Sequence, residues 1–226
     1  MAISAGALAQ TTRPAPPRPA PTGPTPRAGS FEVSGGATFA GGFGLGDSAA
    51  ELTQNTTTGS TSFDLFTSDS ELGTAFGLGG RLGYYLSPKL AIEGGVSWSR
   101  PVLTINLRGD TEGALDTESE ETLDRWIIDG AVVWHFTQPR TGRPSPLVPF
   151  LFGGIGYLRE LHEGQQLVET GVLYQAGGGV KYWLGNARRR FGLRGDAGIS
   201  VRDGGFDFED GIRTVPVFSG SLIYLF

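Results

Sequence analysis

The chain has 226 residues, a formal net charge of −5 and no cysteine, and 38% of its residues are hydrophobic. A nucleic-acid-binding protein normally has a basic excess, so no nucleic-acid partner is expected. The lack of cysteine excludes disulfides, thiol catalysis and thiolate metal sites. No apolar run approaches the roughly 20 residues that a transmembrane helix needs, which excludes helical spans.

The N-terminal residues have the pattern of a secretory signal. Ala7-Leu8-Ala9 matches a cleavage site, and Gln10 would then begin the mature protein. We therefore expect residues 1–9 to be the remnant of a signal peptide, although an apolar start without meaning is the alternative. Residues 10–29 are rich in proline and should form an extended periplasmic arm outside the fold.

Eight runs of alternating apolar and polar residues follow Ser30, and none has a helical period. The runs cover residues 31–45, 74–86, 90–107, 122–137, 147–161, 169–184, 191–202 and 214–226. Long polar connections such as 46–73 and 108–121 alternate with short ones such as Ser87-Pro88-Lys89. An even strand number with long loops at one rim is typical of outer-membrane barrels. The sequence predicts an all-β fold, an eight-stranded antiparallel up-and-down transmembrane β-barrel over residues 30–226.

Over most of the second, third, fourth, sixth and seventh runs one phase carries no charge, and this phase indicates which side faces lipid. In the fourth run it consists of Trp126, Ile128, Gly130, Val132, Trp134 and Phe136. A soluble ligand-binding barrel would need a polar exterior, and an eight-stranded lumen has room only for side chains. An exterior Lys or Arg at mid-membrane costs about 2–4 kcal/mol, which explains why the uncharged phase would face lipid.

Aromatic residues lie at both ends of the predicted strands. Trp98 and Trp126 adjoin long loops, whereas a second group adjoins the short turns: Tyr84, Trp134, Phe136, Tyr182, Phe191, Tyr224 and Phe226. Two such groups, about nine to eleven residues apart, are what the two interfaces of a bilayer favour. Chance clustering of strand-forming aromatics is the alternative.

Three segments resemble known outer-membrane proteins. Phe226, preceded at alternate positions by Tyr224, Leu222 and Phe218, resembles the C-terminal assembly signal of such barrels. Residues 149–157 (PFLFGGIGY) and 177–183 (GGGVKYW) are similar to strand signatures of the OmpA-like and opacity-type β-barrel family. The resemblance implies a small eight-stranded barrel of the bacterial outer membrane and recognition of Phe226 by the barrel-assembly machinery. It implies no particular activity, because that family includes adhesins and structural barrels.

The opposite phase contains charged residues that are expected to lie in the lumen. They are Arg81, Glu93, Asp129, Lys181, Arg194 and Asp196. Arg81 and Glu93 should face each other across the turn at 86–89, and Lys181 should face Arg194 and Asp196 across 185–190. Unpaired buried charges are very costly, so these groups should form a salt-bridge plug. A gated ion path and a proton relay are the alternatives.

Catalysis is not expected. His135 lies near the periplasmic rim with no hydroxyl at a suitable spacing, and His162 is followed by Glu163 and Gly164. Membrane-embedded lipid A deacylases, as a family, use a His-x-Ser pair, which Gly164 excludes here. The acidic run 110–124 fits no calcium loop and is interpreted as solvated, with a weak divalent-cation site as the alternative. No cofactor and no metal are predicted.

A change of phase occurs at Arg100-Pro101. Beyond the proline the uncharged phase passes to Leu103, Ile105 and Leu107, which predicts a β-bulge. Arg100 should then emerge at the outer headgroups, where its guanidinium could pair with a lipopolysaccharide phosphate. A solvated arginine at the rim is the alternative.

The predicted function is that of a non-enzymatic, monomeric outer-membrane barrel with a charge-plugged lumen. Its structural or surface-interaction role would depend on the long extracellular loops 46–73 and 108–121. The expected partners are outer-membrane lipid, lipopolysaccharide and the assembly machinery. A narrow porin-like channel for small ions or solutes is the alternative.

Overall fold

The structure, a computed structural model, describes residues 26–56, 59–111, 115–136, 146–162, 168–184, 190–204 and 212–226. The predicted signal remnant and most of the proline-rich arm lie outside these ranges. No helix in the described part of the chain is long and apolar enough to span a bilayer.

Twelve strands form the described part of the chain. They are β1 (Phe31–Ala40), β2 (Phe43–Thr56), β3 (Gly59–Leu72), β4 (Ala75–Tyr85), β5 (Leu90–Ser99), β6 (Val102–Arg108), β7 (Thr117–Thr122), β8 (Asp124–His135), β9 (Leu147–Leu161), β10 (Val168–Leu184), β11 (Phe191–Gly204) and β12 (Arg213–Leu225). Eight of them close into an antiparallel barrel in the order β1-β12-β11-β10-β9-β8-β5-β4. The predicted eight-stranded barrel is confirmed.

The two rims of the barrel differ. The turn rim carries the tight Ser87–Leu90 connection, where the Ser87 hydroxyl accepts hydrogen bonds from the backbone N–H groups of Lys89 and Leu90. The start of β1 and the end of β12 also lie there, since the backbone N–H of Tyr85 donates to the Ser30 carbonyl over 3.0 Å and that of Phe226 donates to the Phe31 carbonyl over 2.7 Å. The opposite end, where strands β2, β3, β6 and β7 leave the barrel, is called the loop rim below.

The prediction of long polar loops was wrong for most of 46–73 and for the last part of 108–121. These segments contribute to a second, four-stranded sheet in the order β2-β3-β6-β7, called the extension sheet. The first predicted run is accordingly divided at Gly41-Gly42, and the third at Arg100-Pro101. A side chain at Gly42 would lie 2.7 Å from the Leu72 carbonyl oxygen, so only glycine fits where the chain changes sheets.

The expected β-bulge at Pro101 was wrong, although the phase does change there. The ladder between β5 and β8 ends at Ser99, and β6 starts a new ladder with β3 and β7. The Pro101 carbonyl accepts a hydrogen bond from the Leu123 backbone. The strand therefore ends at the proline and does not continue through a bulge, and Leu103 is buried in the extension sheet and does not face lipid.

The extension sheet has its own apolar cluster. Leu45, Leu72, Leu103 and Leu123 are buried together, with Phe43 and Ile105 packed against them. A register shift between Gly44 and Gly46 makes Leu45 the extra residue of a bulge, and the positive φ of Gly46 (115°) suits glycine alone. The sheet thus buries a core of its own at the loop rim.

The exterior of the barrel is apolar along the predicted phase. Large apolar side chains such as Leu78, Ile128, Val132 and Leu222 are more than half exposed, whereas the inward neighbour Val133 is fully buried. An exposed apolar belt on a closed barrel is the surface that a bilayer requires. The assignment of the lipid-facing phase is therefore supported on every barrel strand that the sequence analysis used.

Two inward glycines make room for aromatic rings inside the barrel. A Cβ at Gly179 would lie 2.6 Å from the Phe150 ring, and one at Gly177 would lie 2.8 Å from the Phe152 ring. Both phenylalanines come from the neighbouring strand β9. Glycine on β10 thus lets β9 fill the narrow lumen with rings.

The two faces of β8 should differ in their tolerance of charge. We predict that Ile128→Arg, in an outward side chain that is 61% exposed, lowers the yield of folded protein in lipid vesicles far more than Ile127→Arg. The first arginine meets hydrocarbon, at a cost of up to about 2–4 kcal/mol. The second enters the lumen cavity close to Asp129. Gel mobility of the refolded variants measures the yield, and equal yields would contradict the assigned faces.

Candidate functional site

The inward side chains of β8 pass through each layer of the lumen in turn. Val133 belongs to an apolar floor at the turn rim, and Asp129 belongs to a charged layer above it. Ile127 lines a cavity, and Arg125 forms part of a second charged layer. Leu123, just before the strand, is buried in the cluster of the extension sheet. The lumen is therefore filled in layers from one rim to the other.

The floor is a group of buried apolar side chains contributed by strands all around the barrel. It consists of Tyr85, Ala91, Val133, Phe150, Trp183, Ile223 and Leu225, with Val148 and Phe152 packed against it. His135 adds its ring, which stacks on Tyr85 with 5.1 Å between centroids. Such a floor excludes water from the charged layer above it.

Lys181 is the centre of the first charged layer. Its ammonium nitrogen donates to Glu32 Oε1 over 2.7 Å and to the Tyr85 hydroxyl over 3.1 Å, and only 1% of the side chain is exposed. The Tyr85 hydroxyl in turn donates to Glu32 Oε2 over 2.7 Å. A second carboxylate, Glu93, lies 3.6 Å from the same ammonium. Sequence reasoning missed Glu32 and Tyr85, although both lie in the inward phase.

Arg194 links Lys181 and its partners to the other carboxylates. Its Nη1 donates to both oxygens of Glu93 over 2.8 Å, and its Nε donates to Asp196 Oδ1 over 2.9 Å. Arg81 reaches Asp129 over 2.8 Å and lies 4.0 Å from Glu93. All six predicted lumen charges are thus brought into one network.

Two details of the predicted pairing were wrong. Arg81 lies opposite Gly95, so it meets Glu93 only diagonally, and its main partner Asp129 comes from β8. Lys181 does lie opposite Arg194, as predicted, but it pairs with Glu32 across the barrel and not with Asp196. Hairpin spacing gives the neighbours on adjacent strands, whereas Arg81 and Lys181 find their closest charge partners on strands that are not adjacent to their own.

A cavity of about 140 Å³, lined by both polar and apolar side chains, lies between the two charged layers. Arg81, Asp129, Gln175 and Asp196 line it on the side of the first layer. Gln175 donates to Asp129 over 2.9 Å, and Ser219 donates to Asp196 over 2.8 Å. These bonds satisfy both carboxylates, so the cavity presents paired groups and not a bare charge.

The second charged layer is an Arg–Glu–Arg group near the loop rim. Glu160 is completely buried, and its two oxygens accept from Arg125 Nε over 2.7 Å and from Arg202 Nη2 over 2.6 Å. The guanidinium carbon of Arg202 also lies 5.2 Å from the Phe43 ring centroid of the extension sheet. This layer, which sequence reasoning missed, joins the barrel to the sheet.

Two further contacts connect the extension sheet to the barrel strands that it does not continue. His162 Nδ1 lies 3.0 Å from Glu121 of β7, and Arg213 Nη2 donates to the Leu45 carbonyl over 3.3 Å. Together with the Arg202–Phe43 contact, they hold the sheet against strands β9, β11 and β12. The sheet therefore covers the mouth of the barrel.

The predicted aromatic residues lie at the two rims. Trp98 and Trp126 are direct neighbours on β5 and β8, with 6.4 Å between ring centroids. At the turn rim the outward residues are Tyr84, Trp134, Phe136, Tyr182, Phe191, Tyr224 and Phe226, joined by Phe31, which contacts Tyr84. Phe218 and Leu222 share the outward face of β12 with the terminal aromatics.

Arg100 lies at the loop rim beside Asp124. Its Nε is 3.2 Å from Asp124 Oδ1, and the two side chains are 56% and 42% exposed. In the described part of the chain, no group of three or more His, Asp or Glu side chains is arranged to hold a metal ion. His135 is buried in the floor, and the segment that follows His162 lies outside the described residues.

Comparison with known proteins shows a likeness in structure only. No family model matches the chain, and no curated protein is similar to it in sequence. The outer-membrane protein OprG of Pseudomonas aeruginosa superposes with a TM-score of 0.50 at 13% identity, over 90% of this chain and 98% of OprG. Neisserial surface protein A superposes with a TM-score of 0.47 at 16% identity, over 87% and 98% of the two chains.

The N-terminal barrel domain of P. aeruginosa OprF superposes with a TM-score of 0.37 at 14% identity, over 91% of this chain and the whole of that domain. At these identities the likeness to OprG shows the fold alone. The expected resemblance to small eight-stranded outer-membrane barrels is thereby confirmed at the level of the fold.

Loss of one member of the buried Lys181–Glu32 pair should destabilise the barrel. We predict that Lys181→Met costs about 3–5 kcal/mol of unfolding free energy, because the buried Glu32 loses its closest cation and keeps only Arg194, 3.8 Å away. The double variant Lys181→Met/Glu32→Gln should recover most of this loss. Urea unfolding in lipid vesicles measures both. Arg100→Gln, which breaks an exposed pair, is the control and should cost about 0–1 kcal/mol of unfolding free energy. A loss as small as this in Lys181→Met would contradict the salt-bridge plug.

Proposed function

We propose that the protein is a non-enzymatic barrel of the bacterial outer membrane whose lumen is closed and whose extension sheet interacts with the surroundings. The observation that carries this proposal is that packed layers close the lumen on both sides of its cavity. An apolar floor, a paired charge network and a buried Arg–Glu–Arg layer follow one another from rim to rim. Each charge in these layers has an ion-pair partner, so none is available to select or pass an ion.

The closed lumen also supports a non-enzymatic role. His135 is stacked on Tyr85 within the floor, where no substrate from either side has access. The acidic residues that could bind a cation belong to exposed segments, such as Glu118 and Glu120 on β7. The surface open to partners is therefore the extension sheet, which would face the cell exterior because the tight turn lies at the other rim.

A narrow channel is the second candidate, and the cavity between the charged layers is what favours it. The cavity of about 140 Å³ could hold a few water molecules, and the Arg81 side chain beside it is 26% exposed. Conduction would require the Arg81–Asp129 pair to open and the apolar floor to become wet. The floor makes this the weaker candidate.

Planar-bilayer recording separates the two candidates. We predict no discrete openings from the refolded wild-type protein, because the floor excludes water. Arg81→Gln should be equally silent, since the floor does not depend on this pair. Discrete wild-type openings whose conductance changes in Arg81→Gln would contradict the closed lumen and favour the channel.

Surface labelling tests the orientation of the barrel. The chain has no cysteine, so single cysteines can be introduced by Ser62→Cys in the exposed part of β3 and Lys89→Cys in the tight turn. We expect a membrane-impermeant maleimide to label Ser62→Cys on intact cells. Lys89→Cys should react only after the envelope is broken. The reverse pattern would show that the extension sheet faces the periplasm.

A further inference from the structure

Arg159 is the single lysine or arginine on the outward phase of the barrel strands within the described residues. On β9 the outward side chains Ile155 and Tyr157 are exposed, and so is Arg159, whereas the inward neighbours Leu158 and Glu160 are buried. Every other cation of these strands lies in the lumen or at a strand end near the loops. Among the described barrel residues, a positive charge on the outward phase therefore occurs at one position, and it needs a physical explanation.

The register places Arg159 beside the tryptophans of the loop rim. Trp126 of β8 is its direct neighbour on one side, and Trp98 follows on β5. On the other side its neighbour is Thr170 of β10, whose side chain is also exposed. Because Trp residues settle at the level of the lipid headgroups, Arg159 lies at the outer interface and not at mid-membrane.

The charge of Arg159 has no carboxylate partner among the described residues. Arg100, the residue that the sequence favoured for a lipid contact, differs in this respect, because Asp124 lies 3.2 Å from its guanidinium. Glu160 and Glu169, which adjoin Arg159 and Thr170 in sequence, are not partners of Arg159. Glu160 points inward to Arg125 and Arg202, and Glu169 lies opposite Glu160 on the same inward phase. An unpaired guanidinium at a headgroup interface finds its counter-charge in the bilayer.

We propose that Arg159, together with Thr170 and Trp126, binds the phosphate of an outer-leaflet lipid. The guanidinium would donate two parallel hydrogen bonds to the phosphate oxygens, the Thr170 hydroxyl would donate a third, and the exposed Trp126 ring would pack against the apolar part of the lipid. The inference rests on the outer-membrane placement proposed above, and it transfers the phosphate contact from Arg100 to Arg159.

The test compares the rate of unfolding in urea across vesicles that differ only in phosphate. The refolded protein is placed in phosphatidylcholine vesicles of three kinds: with lipid A, with dephosphorylated lipid A, and without either. A fourth sample uses the vesicles without either lipid and adds inorganic phosphate to the buffer. We expect lipid A to slow wild-type unfolding about tenfold, as one charge-assisted interaction would. The rate in vesicles of phosphatidylcholine alone is the reference, and neither dephosphorylated lipid A nor inorganic phosphate should slow unfolding relative to it.

Two variants assign the effect to the residue. Arg159→Gln should lose the lipid A effect and unfold at the wild-type rate in pure phosphatidylcholine, because the exposed side chain supports no packing there. Arg100→Gln is the matched control and should keep the effect. Arg159→Lys should keep part of it, since an ammonium lacks the planar fork of the guanidinium.

The other outcomes would overturn the proposal. An unchanged lipid A effect in Arg159→Gln, or its loss in Arg100→Gln, would assign the contact elsewhere. Equal slowing by inorganic phosphate would identify a site for the free ion and exclude the lipid. Equal slowing by dephosphorylated lipid A would reduce the effect to the acyl chains. Conductance is measured separately, so a conducting protein that still responds to lipid A would refute only the closed lumen.

Discussion

The pairing of β1 with β12, from Glu32 opposite Leu225 to Ala40 opposite Val217, is the contact on which the rest of the structure depends. Hydrocarbon offers no hydrogen-bond partner to a backbone N–H or C=O group, so a sheet can cross a bilayer only when its edges are joined. Joining them with eight strands leaves a lumen that side chains alone can fill. The inward residues are thereby forced to pack and pair with one another.

Closure explains why charges occur in the lumen in linked groups. Lys181, Arg194 and Arg81 lie among four carboxylates, Glu32, Glu93, Asp129 and Asp196, which leaves one negative charge in excess. Near the loop rim, Arg125 and Arg202 share Glu160, and Glu169 lies opposite Glu160 on the neighbouring strand, so two carboxylates accompany the two guanidinium groups. The two layers lie on opposite sides of the cavity, and in each of them a charge without its partner would be costly in so narrow a space.

The strand phases could be predicted from the sequence because lipid on one side and a crowded lumen on the other act on alternate residues. The same alternation could have identified Glu32, since its neighbours Phe31 and Val33 are outward and apolar. Its partner could not be predicted. Lys181 lies 149 residues away in sequence, and the two meet only because the tilt and stagger of eight strands bring β10 opposite β1. The group of Arg125, Glu160 and Arg202 could not be predicted for the same reason, because three separate strands contribute its members.

The extension sheet was missed because its strands lack the alternation that a bilayer imposes. β2 and β3 are rich in Ser, Thr and Asp, and outside the membrane both faces can be polar. The four segments form strands because β1, β4, β5 and β8 are neighbours in the barrel. The segments that continue from them at the loop rim therefore lie side by side and can go on pairing. The buried leucines and the contacts of Arg202 and Arg213 then fix the sheet relative to the barrel. A partner at this surface would meet an ordered sheet, so its binding would need little of the conformational ordering that a loop requires.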